Sequence, residues 1–498
     1  MKLGKILSVV VVVLSFWCAL SAEDAGAKPV MVHYMPWFES QPFTGGWGWH
    51  WTMNHFNPSV NNTNGYSEIA SWYYPVEGPY DSADPAVLEY QVLLMKLSGI
   101  DGVIVDWYGT DNYNDYALIN QRTLDMASYI QKAGMQFCLC YEDSTIQTEI
   151  NGNFITSANA ISHAQQTMLY VQTNYFNIPG YLHWNNMPVL LNFGPQYFKT
   201  SANWTSIFSV LNATNQPAFF TEDSRLSVGQ GAFDWPPMYL SQNGVLSDAS
   251  MQYYLIEFEI SGAAWPAYIS TAFPRFHDIY QQAGVGSSFG YLDDQNGNTL
   301  RETLSRAMTN ASIAVQIATW NDFGEGTIIE PTINKVSGCA LIDTNQSTTL
   351  YGYADLGIVQ DLRRQYLNAN FPYHTNDLAL PMQLLNMREL YGNGNAIISS
   401  ELNRTFTNIL SGNLSFARLQ LSGVQSGMPV IYNLSLTNNQ LQFFVGGYLS
   451  QNGFQVETSS NLLKWQTVSV FPGTTNQSIF NVSLSSGSSP LFFRIQND

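Results

Sequence analysis

Gly102-Val103-Ile104-Val105-Asp106-Trp107-Tyr108-Gly109 is the stretch on which the reading of the fold turns. Its apolar run is continuous and does not alternate. That is the pattern of a parallel strand covered on both faces rather than of a half-solvated antiparallel one. The run ends in an acid beside two aromatics, then a glycine. Upstream, Asp84-Pro85 opens a helix, with Asp as N-cap and Pro in the first turn. Val87, Leu88, Val92, Leu93, Met95 and Leu97 supply its apolar face, and Gly99 ends it. Before that helix lies another apolar run, Val30 to Trp37. Strand, helix, strand is therefore the local unit.

The same unit repeats downstream. A helix from about Tyr116 to Ala133 stops at Gly134, and a third strand runs from Gln136 to Tyr141. A helix near Asn159 to Asn174 leads to Pro188–Phe193, and a short helix from Trp204 to Leu211 leads to Ala218–Asp223. Ala232–Trp235 reads as a sixth strand. Met251 to Ile260 follows it, readable as helix or strand. Ala267–Pro274 is the seventh strand, Leu300–Met308 a helix, Ile313 to Ile317 the eighth strand, and Leu356–Leu367 the closing helix. Eight such units predict a (β/α)8 barrel. An open doubly wound sheet shares the alternation, but usually carries a glycine-rich phosphate turn after its first strand. Here a tryptophan-rich loop, Gly45-Gly46-Trp47-Gly48-Trp49-His50-Trp51, stands in that place.

Catalytic groups of a barrel sit at the carboxyl ends of its strands. Read in turn, those ends are Trp37, Asp106-Trp107, Glu142-Asp143, Asn192, Glu222-Asp223, Asp234-Trp235, and Asp322 with Glu325. Five of the eight strands end in acid. Paired carboxylates in a cleft are what glycoside hydrolysis requires, and tryptophans beside them suit the CH faces of sugar rings. The expected catalytic pair is Asp322 and Glu325, in Trp320-Asn321-Asp322-Phe323-Gly324-Glu325-Gly326-Thr327. The expected substrate-binding residues are Tyr34, Trp37, His50, Trp51, Asp106, Trp107, Glu142, Glu222, Asp234, Trp320 and Asn321.

Composition narrows the partners. The 498 residues are 45% hydrophobic and 14% aromatic but only 11% charged, which calls for a surface rich in amides and hydroxyls. Lys2 and Lys5, the apolar run Ile6 to Leu20, and the small residues Ala19, Ser21 and Ala22 read as a secretory signal, residues 1–22. Secreted or periplasmic localisation is the expectation. The formal net charge of −18 becomes about −20 once the two lysines leave with the signal. Nucleic acid and anionic membrane surfaces are thereby disfavoured, while neutral glycans are not. No later stretch is long enough to span a bilayer, and a monomer is expected. Cys138, Cys140 and Cys339 are too few for a disulfide framework and are expected as buried thiols. His33, His50 and His55 match no metal-ligand spacing, so neither a metal nor another cofactor is expected. No Gly-x-Ser-x-Gly elbow or nucleotide loop occurs.

Past Pro372 the pattern changes. Residues 373–412 read as a helical linker region after a barrel spanning 23–372. Residues 413–498 read as a β-sandwich-like module, with short strands at Ala417–Leu421, Val430–Leu436, Leu441–Val445, Phe454–Glu457, Trp465–Phe471, Ser478–Val482 and Leu491–Ile495.

Trp320-Asn321-Asp322-Phe323-Gly324-Glu325-Gly326-Thr327 with Glu330-Pro331 resembles the Asn-Glu-Trp-x-Glu-Gly-Thr-x-x-Glu-Pro signature of glycoside hydrolase family 99 and its family 71-99-like relatives. His33-Tyr34-Met35-Pro36-Trp37 with Trp49-His50-Trp51, Gly78-Pro79-Tyr80-Asp81, and Gly99 to Gly109 are similar to further blocks of that family. The resemblance covers roughly residues 29 to 370. It implies an endo-acting, retaining α-mannosidase on a (β/α)8 barrel, working on an α-linked, mannan-like polysaccharide or oligosaccharide without an enzyme nucleophile. One carboxylate deprotonates the sugar 2-hydroxyl, which attacks C1 to give a 1,2-anhydro sugar. A second protonates the leaving oxygen and later activates water. On the matching positions, Glu325 is the acid/base and Asp322 the 2-hydroxyl base. Two departures stand at this spot: Asp322 replaces the usual Glu, one methylene or about 1.5 Å shorter, and Phe323 replaces Trp. A glycan-binding barrel without turnover is the alternative, and a structural surface protein with an incidental acidic cleft is a third.

Overall fold

The computed structural model describes residues 28–333, 338–339, 350–391, 396–426, 429–437, 440–447, 454–459, 464–471, 478–483 and 492–497. The expected signal, residues 1–22, lies outside them. The chain divides into two compact units, Lys28–Leu385 and Asn386–Asp498. The division falls within the helix Ala379–Tyr391, later than the barrel end expected at 372.

The first unit is a closed parallel barrel. Its strands are β1 Val30–Tyr34, β2 Gly102–Trp107, β3 Gln136–Tyr141, β4 Met187–Asn192, β5 Ala218–Glu222, β6 Gly231–Phe233, β7 Ile269–Ala272 and β8 Ala314–Ile317. Each pairs in parallel with its neighbours, and β8 pairs with β1 through Val315↔Val30 and Ile317↔Val32, which closes the ring. The register between β2 and β3, which sets Gly102 opposite Gln136, explains Gly102. A Cβ there would lie 2.1 Å from the Gln136 carbonyl oxygen, so only glycine lets β2 approach β3.

The outer helices are α1 Pro85–Ser98, α2 Tyr116–Ala133, α3 Ala160–Asn174, α4 Ser201–Phe208, α5 Asp248–Gly262, α6 Asn298–Thr309 and α7 Ala354–Tyr366. The Asp84 carboxylate accepts from the Ala86 amide at 2.8 Å, capping α1 as its sequence predicts. Gly99, at φ 84°, ends it. Residues 248–262, ambiguous in sequence, are helical. Met251, Leu255 and Phe258 are buried at helical spacing against the barrel side. The eight-unit expectation is adjusted once. Residues 223–230 join β5 to β6 directly, because so short a link leaves no room for a crossover helix.

The second unit holds the helices Ala396–Leu410 and Leu414–Ser426 and two three-stranded antiparallel sheets. One sheet orders Pro429–Thr437, Gln440–Gly447 and Ser478–Ser483. The other orders Gln466–Phe471, Phe454–Ser459 and Phe492–Asn497. Ala417–Leu421, expected as a strand, is helical. Ala417, Leu421 and Val424 are buried at spacings of four and three, the helical rather than the strand period. Among the described residues no helix is long and apolar enough to cross a membrane.

Candidate active site

The period of two along each strand decides what faces the barrel lumen. The Tyr34 hydroxyl donates to Gln91 Oε1 on α1 at 2.8 Å, so Tyr34 points out to the helix layer and His33 points in. Likewise the Trp107 indole N–H donates to Asn120 on α2 at 3.2 Å, and Asp106 points in. Cys138 and Cys140 are buried free thiols on one side of β3, as expected.

Beyond β8 the chain turns sharply inward. Ala318–Thr319 is a cis peptide. The Trp320 amide donates to the His33 carbonyl at 2.7 Å, and the Asn321 side chain brackets Met35, accepting from its N–H at 2.8 Å and donating to its C=O at 2.9 Å. Asn321 thus imitates a strand partner and ties this segment to the end of β1. Below it, Glu330 accepts from the Tyr80 hydroxyl (2.8 Å), the Gln91 amide (2.7 Å) and the Trp320 indole N–H (2.9 Å). Trp320, Asn321 and Glu330 therefore hold the segment in place, and their polar groups are engaged within the protein.

On that support sit Asp322 and Glu325. The Asp322 amide donates to Thr319 Oγ1 at 2.9 Å, and Asp322 Oδ1 accepts from the Glu325 amide at 2.9 Å. The Glu325 carboxyl accepts from the Tyr280 hydroxyl at 3.4 Å. Burial raises both acids. Asp322 is held lower than Glu325 by the Glu325 and Gly324 amides, while Glu325 is pushed well up by burial and by the charges of Asp322 and Asp278. Two neighbouring carboxyls with separated affinities for a proton make an acid and a base.

Three further strand ends complete the acidic ring. Asp106 is buried with Oδ1 unpaired, and it feels Glu142, Asp322 and Glu325 electrostatically. Burial pushes Glu142 up to about 7, against a hydrogen bond from Ser144 Oγ at 3.0 Å. Burial and the charges of Asp223 and Glu142 push Glu222 up to about 8. Asp234 is placed differently: it accepts from the Thr271 amide at 2.6 Å and stitches β6 to β7. Asp143 is also internal, accepting from the amides of Gln196, Tyr197 and Phe198.

The aromatic wall comes from the loop after β1. Trp37 stacks on His50 with centroids 4.1 Å apart and planes at 7°, and His50 Nε2 lies 3.3 Å from Asp115. Tyr108 stands 6.1 Å from Trp37. Trp51 is fully buried, its indole N–H given to the Tyr80 carbonyl, so it packs beneath this wall rather than lining it.

Of the expected substrate-binding residues, Trp37, His50, Asp106, Glu142 and Glu222 gather around Asp322 and Glu325 or on the adjoining wall. Tyr34, Trp51, Trp107, Asp234, Trp320 and Asn321 do not. Tyr108, Asp115 and Tyr280 were not singled out from sequence. Tyr108 stood in the quoted strand beside Asp106, but nothing in the pattern marks Tyr280. Among the described residues one group could hold a metal, Asp111 with Glu149 and His163, and it is none of the strand-one histidines.

Comparison with known proteins finds relatives in sequence and in fold. The chain is 20% identical over 337 residues to glycoprotein endo-alpha-1,2-mannosidase of Xenopus laevis, covering 61% of this chain and 70% of that protein. To the Mus musculus protein of the same name it is 21% identical over 335 residues, covering 61% and 67%. The likeness is to glycoside hydrolase family 99. In fold, the structure of the GH99 endo-alpha-mannosidase from Bacteroides thetaiotaomicron superposes with a TM-score of 0.52 in complex with bis-tris-propane and 0.50 without that ligand. Each superposition has 17% identity and covers 68% of this chain and 98% of the other. The chain is thus GH99-like in sequence and a (β/α)8 barrel in fold. No family model matches it.

Proposed function

We propose that the chain is an endo-acting glycoside hydrolase on α-linked mannose glycans, with retention of configuration through the substrate's own 2-hydroxyl. The observation that carries this reading is the pair Asp322 and Glu325, adjacent after β8 and unequal in proton affinity. Glu325 keeps its proton to higher pH and donates it to the glycosidic oxygen as the C1–O bond breaks. Asp322 takes the proton of the 2-hydroxyl, whose oxygen closes on C1 to give a 1,2-anhydro sugar. The Glu325 carboxylate, now ionised, then takes a proton from water as the water oxygen attacks C1. The epoxide C1–O bond opens, and the 2-oxygen recovers its proton from Asp322.

Asp322 Oδ1 is engaged by the Glu325 amide. The same bond fixes the shorter side chain, so the sugar must sit deeper to reach it. That engagement favours the second reading, a glycan-binding barrel that does not turn over. Residues 1–22 support export, and the low charge with exposed aromatics suits a neutral polysaccharide. Incubation with a panel of α-mannans, with products sized by chromatography and anomers followed by NMR, separates the readings. Oligosaccharides released first as α-anomers support the hydrolase. Binding without product across the panel supports the binding barrel.

A further inference from the structure

We propose that Asp111, Glu149 and His163 form a binding site for one divalent transition-metal cation of the Zn2+ type, on the rim of the barrel and apart from the carboxylate cleft. The three residues come from three separate segments: the loop after β2, the helix Ser144–Asn151 after β3, and α3. Their candidate ligand atoms all lie within 4.8 Å of one another. A cation at ordinary Zn–N and Zn–O distances of about 2.0–2.2 Å holds donors about 3.5 Å apart, so small side-chain rotations suffice. One imidazole and two carboxylates is a mixed donor set that suits Zn2+ better than the all-oxygen cages of Ca2+ or Mg2+.

The arrangement leaves a carboxylate oxygen unsatisfied. His163 Nε2 lies 2.9 Å from Asp111 Oδ2 and 3.4 Å from Glu149 Oε2, and its single N–H can point at only one of them. Asp111 is the nearer. Glu149 is only 1% exposed, and its Oε2 accepts no hydrogen bond. A buried carboxylate oxygen aimed at a histidine nitrogen with nothing between them costs free energy that a shared cation would offset. A hollow of about 420 Å³ opens beside the group, lined by Thr110, Asp111, His163, Gln166 and Tyr170, and gives a cation its way in.

The competing occupant is a proton. His163 is pulled up to about 10 by its hydrogen bond to Asp111 and by the Glu149 carboxylate beside it, and an imidazolium alone balances part of the charge. The site's place in the fold says what a cation would do. Asp111 belongs to the short loop that also carries Tyr108, near Trp37, and Asp115, against His50. Binding Asp111 to the helix Ser144–Asn151 and to α3 would hold that loop against the cleft wall.

The test uses the full chain after treatment with a chelator, titrated with ZnCl2 by calorimetry near neutral pH, with CaCl2 in parallel. The expected result is one Zn2+ per chain and no Ca2+ uptake. Affinity should fall about a hundredfold or more in His163→Gln and in Glu149→Gln, since losing a direct ligand costs at least as much as losing its supporting partner. Circular dichroism confirms that both variants fold. Co2+ substitution should give a visible spectrum of low-coordinate Co2+ that His163→Gln abolishes. No Zn2+ uptake by the parent chain, or unchanged uptake in both folded variants, overturns the proposal and leaves the imidazolium ion pair as the occupant.

Discussion

Glu325→Gln should abolish hydrolysis and leave the fold untouched, and the structure supplies both magnitudes. Gln matches Glu in volume, and the backbone amide and carbonyl of residue 325 keep their bonds to Asp322 Oδ1 and the His277 amide. The one side-chain hydrogen bond at stake is the 3.4 Å contact from Tyr280, long and therefore weak. The change also removes a group that repels Asp322 when ionised. Stability should stay within about 1 kcal/mol of the parent or rise slightly. Activity behaves otherwise. An amide cannot protonate the leaving oxygen, and general acid catalysis contributes about 10²–10⁴ in rate, or about 2.7–5.4 kcal/mol of barrier. The assay is release of reducing ends from an α-mannan beside a denaturation curve. An activated aryl glycoside, whose leaving group needs no proton, should recover part of the loss. Undiminished polysaccharide turnover in a folded Glu325→Gln protein would refute the assignment of the acid.

Other perturbations follow from the same contacts. Asp322→Asn should lose turnover while retaining glycan binding, and Asp322→Glu should change relative rates across a panel of α-linked substrates, because it moves the carboxylate about 1.5 Å; an unchanged rate in Asp322→Asn would remove Asp322 from the chemistry. Asn321→Ala leaves both the N–H and C=O of buried Met35 without their partner and should cost about 2–4 kcal/mol by urea denaturation; a loss under about 0.5 kcal/mol would show that the clasp is not needed. Stability should fall between about pH 6.5 and about pH 8. Over that window Glu142, raised to about 7, and Glu222 and Asp234, each raised to about 8, bind more protons in the native than in the unfolded chain, so the slope of stability against pH is negative. His163, raised to about 10, adds to the fall. Below about pH 6.5, His33 and His277, held down to about 3 and about 4 by burial, act the other way. A melting temperature that rises from pH 6.5 to 8, or a slope that Glu222→Gln does not flatten, would contradict this account.

Much of the fold was legible because the barrel's signals are local. Asp84-Pro85 and Gly99 bracket α1, and Gly134 ends α2, where only a residue tolerant of positive φ fits. The continuous run from Gly102 is a strand buried on both faces. In the second unit the same local reasoning failed at Ala417–Leu421, because five apolar-leaning residues carry too little period to separate helix from strand. The site was legible to the extent that acids follow strands. Asp106, Glu142, Glu222, Asp322 and Glu325 lie at such ends and converge. Tyr280 reaches Glu325 from a separate segment with no pattern of its own.

Taken alone, the sequence determined the strands, their order and the cluster of acids at their carboxyl ends, because apolar runs, caps and breakers act over a few residues. It could not determine which alternate residues face the lumen. When both faces of a strand are buried, one helix-side and one lumen-side, each is apolar and the period of two carries no label. Tyr34 and Trp107 read as site residues on that account, yet their polar groups meet Gln91 and Asn120 on the outer helices, while their neighbours His33 and Asp106 turn inward. Only closure of the ring through β8 and β1, with the Asn321 clasp across it, decided that Asp322 and Glu325 would meet Asp106, Glu142 and Glu222. Closure of that kind depends on contacts nearly three hundred residues apart, such as Met35 with Asn321 at |i−j| = 286, which no local pattern encodes.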